Sequence, residues 1–173
     1  MRRPRFLSLV CVIGITLMVS GRVWADDCAA FSDAAIAQAK VPHVTMHVAT
    51  APGEPEQRTE TIVTADKVYT RIDGAWQGTP MSAQDVLEAI KEARERGRNT
   101  PRTCQKSIGE TINGEPTTLL NVHSESNGQT ADAKIWISIS SGLPLKSEMR
   151  FSSGSVIYDT FRYDNVAAPP GVK

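Results

Sequence analysis

Apolar and polar side chains alternate along most of the chain, a pattern typical of β-strands that bury one face. The alternation is clearest over residues 44–48 and 133–139. Asp73-Gly74 and Asn113-Gly114 are strong signals for tight hairpin turns. Further extended segments are predicted at residues 59–65, 68–72, 108–112, 117–122, 143–151 and 156–163. Seven or eight strands joined by short turns predict an antiparallel meander.

Two segments have helical rather than strand character. Residues 31–40 are rich in alanine. Residues 83–96 place their apolar side chains on one stripe and their charged side chains on the other. Ser82 is a good N-cap for this second helix, and Gly97 is a good stop signal. The second helix is therefore predicted to lie on an apolar surface and to expose its other side to water.

The order of these elements predicts an α+β domain that is mostly β, with its helices segregated from one antiparallel sheet. A sheet of this many strands curls. One amphipathic helix covers little of the concave side, so an apolar concavity either stays open to a ligand or is filled by the first helix and the loops. The cone-shaped α+β sheet of cystatin-like or nuclear-transport-factor-like domains is an alternative fold.

The N-terminus has the layout of a secretory signal peptide. Three arginines among the first five residues precede an almost wholly apolar run over residues 6–20. This run is shorter than the ~20 residues that a membrane-spanning helix needs. We expect residues 1–25 to be removed by cleavage near Ala25. The product is then one periplasmic domain, residues 26–173, that is not an integral membrane protein.

Charge argues against a nucleic-acid partner. The chain has 19 basic and 19 acidic residues, and removal of the four arginines in the predicted signal peptide leaves 15 basic beside 19 acidic. A net negative domain without a basic patch lacks the electrostatic surface that binds nucleic acid.

Two cysteines, Cys28 and Cys104, remain after the predicted cleavage. An oxidising compartment favours a disulfide between them. A metal-bound thiol pair or a reactive cysteine is the alternative, although the two residues form no CxxC motif.

Catalytic and metal-binding motifs are absent from the sequence. His43 and His47 are four residues apart, but on a strand they lie ~13 Å apart at ~3.3 Å per residue and cannot hold one ion. The sequence contains no HExxH, no Cys/His cluster and no G-x-S-x-G. His43, His47 and His123 are interpreted as surface or loop histidines. We therefore predict no enzyme activity, no metal site and no cofactor.

Short motifs in the chain resemble the lipoprotein-localisation-factor fold. They are KIWIS at 134–138, SGLPLK at 141–146 and KVYTRIDGAW at 67–76. The group includes periplasmic lipoprotein carriers and a lipid-sensing regulator of the envelope stress response. The resemblance implies a half-open β-barrel with one or two helices as a lid, which holds acyl chains in an apolar cavity. Ser138 stands where this group often has aspartate.

The combined prediction is a non-enzymatic periplasmic protein that binds a hydrophobic small molecule or lipid in an apolar concavity. An envelope protein–protein interaction or regulatory module without a ligand cavity is the alternative. The ligand-binding residues are predicted from strand alternation and from the apolar stripe of the second helix. They are Met46, Val48, Leu87, Ile90, Ile135, Ile137, Leu145 and Met149.

Overall fold

A computed structural model describes residues 26–96 and 100–172. The predicted signal peptide, residues 1–25, and the predicted helix stop, Gly97, lie outside the described residues. Within the described residues there are two helices, α1 (Asp26–Ala39) and α2 (Ala83–Arg96), and nine strands. The strands are β1 (His43–Thr50), β2 (Gln57–Val63), β3 (Lys67–Ile72), β4 (Ala75–Pro80), β5 (Arg102–Ile108), β6 (Thr117–Ser126), β7 (Gln129–Ser138), β8 (Pro144–Phe151) and β9 (Val156–Arg162).

The nine described strands form one antiparallel sheet in the order β4-β3-β2-β1-β9-β8-β7-β6-β5. The last strand pairs with the first, so β9 joins two meanders, β1–β4 and β5–β9. The sheet ends at β4 and β5, which are not paired with each other, and it is therefore a curled but unclosed barrel. This arrangement with two helices confirms the predicted fold class, an α+β half-open β-barrel with a helical lid.

Local sequence signals explain the second helix and the hairpins. The Ser82 hydroxyl and backbone N–H both donate to Asp85 Oδ2 at 2.7 Å, and the Asp85 N–H donates to Ser82 Oγ at 3.2 Å. This reciprocal cap satisfies donors that the first helical turn leaves free. Asn113 and Gly114 both have positive φ, 50° and 84°, as a two-residue hairpin turn requires.

Two elements differ most from their predicted bounds. The first helix begins at Asp26 rather than at residue 31. Its first turn is tied to β5, because Asp27 Oδ2 accepts the Lys106 backbone N–H at 3.2 Å. The strand predicted over residues 108–112 is instead β5, Arg102–Ile108. In β5 only Cys104 is buried, so this edge strand lacks the apolar alternation that marks the others.

One face of the sheet, called here the helix-side face, carries α1. Register places Cys104, Leu120 and Ile135 on this face of β5, β6 and β7. These three side chains form a buried cluster against which Cys28 and Ala30 of α1 pack. The disulfide between Cys28 and Cys104 is present, with 5.1 Å between the Cα atoms, and confirms the predicted bond. It attaches the start of α1 to the sheet edge.

The opposite face, called here the tail-side face, has its own core at the other end of the sheet. Val44, Ile62 and Tyr69 lie side by side on β1, β2 and β3 and are buried. Val166 and Val172, in the segment that follows β9, pack against them. The two hydrophobic clusters therefore lie on opposite faces of the sheet, one in each half.

Both described helices are 14 residues long. Neither combines the length and apolar character that a membrane-spanning helix needs.

Candidate ligand-binding site

An apolar cavity of about 270 Å³ lies between α1 and strands β7–β9 on the helix-side face. The small side chains of α1 leave space above the sheet, and larger side chains form the floor. The apolar lining consists mainly of Phe31, Ala34 and Ala35 from α1 and Ile135, Met149 and Phe161 from the strands. Phe31 is 39% exposed, so it lies where the cavity meets solvent.

Three of the eight residues predicted to bind ligand lie at or beneath this cavity. Ile135 and Met149 line it. Ile137 lies on the same face two positions further along β7 and packs against the buried cluster of Cys104, Leu120 and Ile135.

Three others lie on the opposite, tail-side face. Register places Met46 beside Thr160, and Val48 beside Tyr158. Leu145 joins them because the β7–β8 pairing shifts between Trp136 and Ile137, which leaves Leu145 without a direct partner. Leu145 and Met46 line a groove on that side. The eight predicted residues therefore do not form one surface.

Leu87 and Ile90 are partly buried on α2. This helix packs against α1, and no described residue of α2 lines the cavity. The structure therefore places α1, rather than the more amphipathic α2, directly over the apolar floor.

Larger grooves elsewhere among the described residues carry more charge. The first has a volume of about 690 Å³ and is lined in part by Lys106, Asp132 and Lys134. The second, on the tail-side face, has a volume of about 750 Å³ and includes Glu60 and Arg162 among its lining residues. An apolar ligand seated there would desolvate charged groups, which costs free energy. The smaller cavity under α1 suits an apolar ligand better.

A polar cluster adjoins the apolar floor of the cavity. The Nδ1–H of His47 donates to Asp159 Oδ1 at 2.7 Å, and the Ser147 hydroxyl donates to Asp159 Oδ2 at 2.9 Å. Ser147 and Asp159 both line the cavity. Sequence reasoning missed this cluster because its members lie on three strands, β1, β8 and β9, and only the pairing of the first strand with the last brings them together.

The cluster does not have the arrangement of a catalytic triad. In a catalytic triad the serine hydroxyl is hydrogen-bonded to a histidine base, and a carboxylate is hydrogen-bonded to the other nitrogen of that histidine. Here His47 and Ser147 both bond to the carboxylate of Asp159. Among the described residues, no three His, Cys, Asp or Glu side chains are grouped so that they could hold a metal ion.

Two of the three histidines, His43 and His47, differ from their interpretation as surface or loop residues, whereas His123 agrees with it. His43 is only 7% exposed, because its ring lies against that of Tyr163, with 6.1 Å between centroids. Its Nδ1 lies 2.9 Å from the Val41 carbonyl oxygen. His47 is part-buried and paired with Asp159, whereas His123 is exposed and paired with Asp132.

Burial lowers the pKa of His43 below its ordinary 6.5, against a smaller opposing effect of the Val41 carbonyl. The unfolded chain therefore binds more protons than the folded chain as the pH falls through this ordinary value. The contribution of His43 to stability is complete above pH 6.5 and is lost as the pH decreases below it.

We expect the free energy of unfolding to decrease less in His43→Gln than in the wild type when the pH is lowered from about 7.5 to about 5.5. Glutamine keeps a hydrogen-bond donor for the Val41 carbonyl. The measurement is the free energy of urea unfolding at both pH values, with an NMR titration of His43 as an independent check. An unchanged pH dependence in the variant would contradict the assignment.

The fold is similar to solved structures of MucB. A crystal structure of MucB matches with a TM-score of 0.53 and 16% identity, over 85% of this chain and 61% of that chain. A Pseudomonas aeruginosa MucA/MucB complex matches with a TM-score of 0.53 and 16% identity, over 85% and 59%. The Mycobacterium tuberculosis lipoprotein LppX matches with a TM-score of 0.49 and 12% identity, over 82% and 97%.

No protein-family model matches the sequence, and no curated protein sequence is significantly similar to it. The chain spans about three-fifths of the length of the MucB chains that it matches. At this level of identity the similarity concerns the fold alone. It confirms the predicted lipoprotein-localisation-factor-like fold.

Proposed function

We propose that residues 26–173 form an exported, periplasmic and non-enzymatic protein that holds part of one hydrophobic chain between α1 and β7–β9. The observation that carries this proposal is the apolar cavity of about 270 Å³ beneath α1. Its volume is just below the range of about 300–1,000 Å³ for small-molecule sites, so it suits one chain rather than a bulky lipid. Burial of each CH₂ group would contribute about 0.8 kcal/mol.

The direct test is native mass spectrometry of the protein purified from a periplasmic extract, followed by lipid extraction. We expect an N-terminus near Asp26 and a bound mass that matches a lipid or an acyl chain. A clean apo mass, together with no uptake of a neutral fluorescent probe such as Nile red, would overturn the proposal.

A cavity-filling substitution locates the site. Ala35 lines the cavity from α1, so Ala35→Trp should occupy the space and weaken Nile red binding by at least about tenfold, equivalent to about 1.4 kcal/mol. The matched control is Ala65→Trp, at an exposed position between β2 and β3, which should bind like the wild type. Fluorescence titration measures both affinities. Equal binding by the two variants would place the ligand elsewhere.

A protein-interaction or regulatory module is the second candidate function, and a specific feature favours it. Ile108, on edge strand β5, is 95% exposed, and Ile139 is 65% exposed. Unpaired edge strands can bind an extended segment of another protein. MucB, which shares the fold, was solved in complex with MucA. This candidate would be favoured if no lipid binds and if pull-downs with the wild type recover a periplasmic partner that Ile108→Asp fails to recover.

A further inference from the structure

A row of neighbouring side chains crosses the helix-side face and changes from apolar to polar within the cavity. Strand register places Leu120, Ile135, Ser147, Asp159 and His47 side by side on β6, β7, β8, β9 and β1. Ile135, Ser147 and Asp159 all line the cavity. A hydrocarbon chain of a ligand that lies on Ile135 would therefore have the polar side chains of Ser147 and Asp159 close to one of its ends.

The carboxylate of Asp159 can accept hydrogen bonds from a polar group at that end of the ligand. Its two carboxylate oxygens are held by His47 and Ser147 at 2.7 and 2.9 Å, so the group is positioned before any ligand arrives. Its side chain is 21% exposed, which leaves it accessible from the cavity. A carboxylate offers about four acceptor sites, and two of them are used here.

The charge around the cavity selects the kind of head group. Among the described residues, no lysine or arginine lines the cavity. The other acidic lining residue, Glu148, is on the tail-side face by register, and its Oε1 accepts from Arg150 Nε at 2.5 Å. A ligand carboxylate would meet the carboxylate of Asp159 in a partly buried setting, where repulsion between like charges is strong.

We propose that Asp159 binds a hydrogen-bond-donating head group, and that the cavity prefers single-chain amphiphiles with an ammonium head to those with a hydroxyl head, and excludes carboxylates. This inference rests on the proposed function, because it names the ligand class for the same cavity. An ammonium head adds attraction between opposite charges to the hydrogen bond with Asp159, so it should bind more tightly than a hydroxyl head. His47 and Ser147 are positioning residues, since they orient the carboxylate.

The test compares decylammonium, decanol and decanoate, which share one chain length, by isothermal titration calorimetry below their aggregation concentrations. We expect the wild type to bind decylammonium at least about tenfold more tightly than decanoate. Asp159→Asn, which has nearly the same shape, should reduce this ratio below about threefold. The matched control, Asp132→Asn, makes the same change in the exposed His123–Asp132 pair outside the cavity and should keep the ratio.

The outcomes separate the two proposals. Equal or tighter binding of decanoate by the wild type would overturn the head-group assignment and leave the apolar cavity function intact. No binding of any of the three probes would overturn both. An unchanged ratio of decylammonium to decanoate affinity in Asp159→Asn would mean that the cluster only joins the strands and does not bind the head group.

A second variant keeps the assignment testable if Asp159→Asn fails to fold. Ser147→Ala keeps the charge of Asp159 and removes one of the two hydrogen bonds that position it, so it should weaken decylammonium binding by less than about threefold and keep the preference over decanoate. Loss of that preference in Ser147→Ala would overturn the role of Asp159.

Discussion

Leu120→Ala should lower the free energy of unfolding by about 2–5 kcal/mol, the range for truncating a fully buried leucine. The Leu120 side chain is 0% exposed and lies on β6 between Cys104 of β5 and Ile135 of β7. Truncation removes buried apolar area and leaves a void, because α1 is attached to this part of the sheet and cannot move freely to fill it. Urea unfolding followed by tryptophan fluorescence measures the change.

Ile108→Ala is the matched control for this core substitution. Ile108 lies on the same helix-side face, at the end of the neighbouring strand, but it is 95% exposed. Its truncation should change the free energy of unfolding by less than about 0.5 kcal/mol. A loss below about 1 kcal/mol in Leu120→Ala would mean that the cluster under α1 is not the core of this half of the sheet.

Removal of the disulfide by the double substitution Cys28→Ala/Cys104→Ala should destabilise the protein by about 4 kcal/mol. The bond joins residues 76 positions apart, so it greatly restricts the unfolded chain. It also attaches the first turn of α1 to an edge strand that this turn contacts through the pairing of Asp27 with Lys106. Alanine at both positions avoids leaving a buried free thiol.

Urea unfolding and thiol labelling together measure the effect of the disulfide. The wild type should show no labelled Cys28 or Cys104 before reduction, and reductant should lower its stability toward that of the double variant. Reductant should have no effect on the stability of the double variant. Equal stability of oxidised wild type and double variant would show that the bond contributes nothing beyond the packing of α1.

The cavity depends on both of these features. The cluster around Leu120 supports α1 from below, and the disulfide fixes its N-terminal end. The second half of α1, where Ala34 and Ala35 line the cavity, frames the proposed ligand site. Loss of Nile red binding under conditions where Leu120→Ala is still folded would show that α1 must be held in place for the site to exist.

Signals that are local in the sequence predict much of this fold without any tertiary contact. Alternation over 44–48 and 133–139, together with turns such as Asn113-Gly114, predicts an antiparallel meander because those patterns depend on neighbours in sequence. The second helix was predicted with its observed bounds because Ser82 and Asp85 form a cap within three residues. The disulfide followed because the predicted cleavage leaves only two cysteines to pair.

Only the tertiary structure decided which residues meet. Alternation shows that a strand has two faces but not which one lies inward, so Met46 and Val48 were grouped with Ile135 although they lie on the opposite side of the sheet. The early start of α1 and the position of β5 depend on contacts with each other, across more than 70 residues of sequence.

The polar cluster is the clearest case of what the tertiary structure decided. His47 and Asp159 are 112 residues apart in the chain, and neither stands in a recognisable motif. They become neighbours because β9 returns to pair with β1. The sequence by itself therefore determined the type of sheet and its turns, and it predicted that the protein is exported. Long-range strand pairing determined the cavity and the groups that line it, because side chains on different strands acquire a common surface only when register is set.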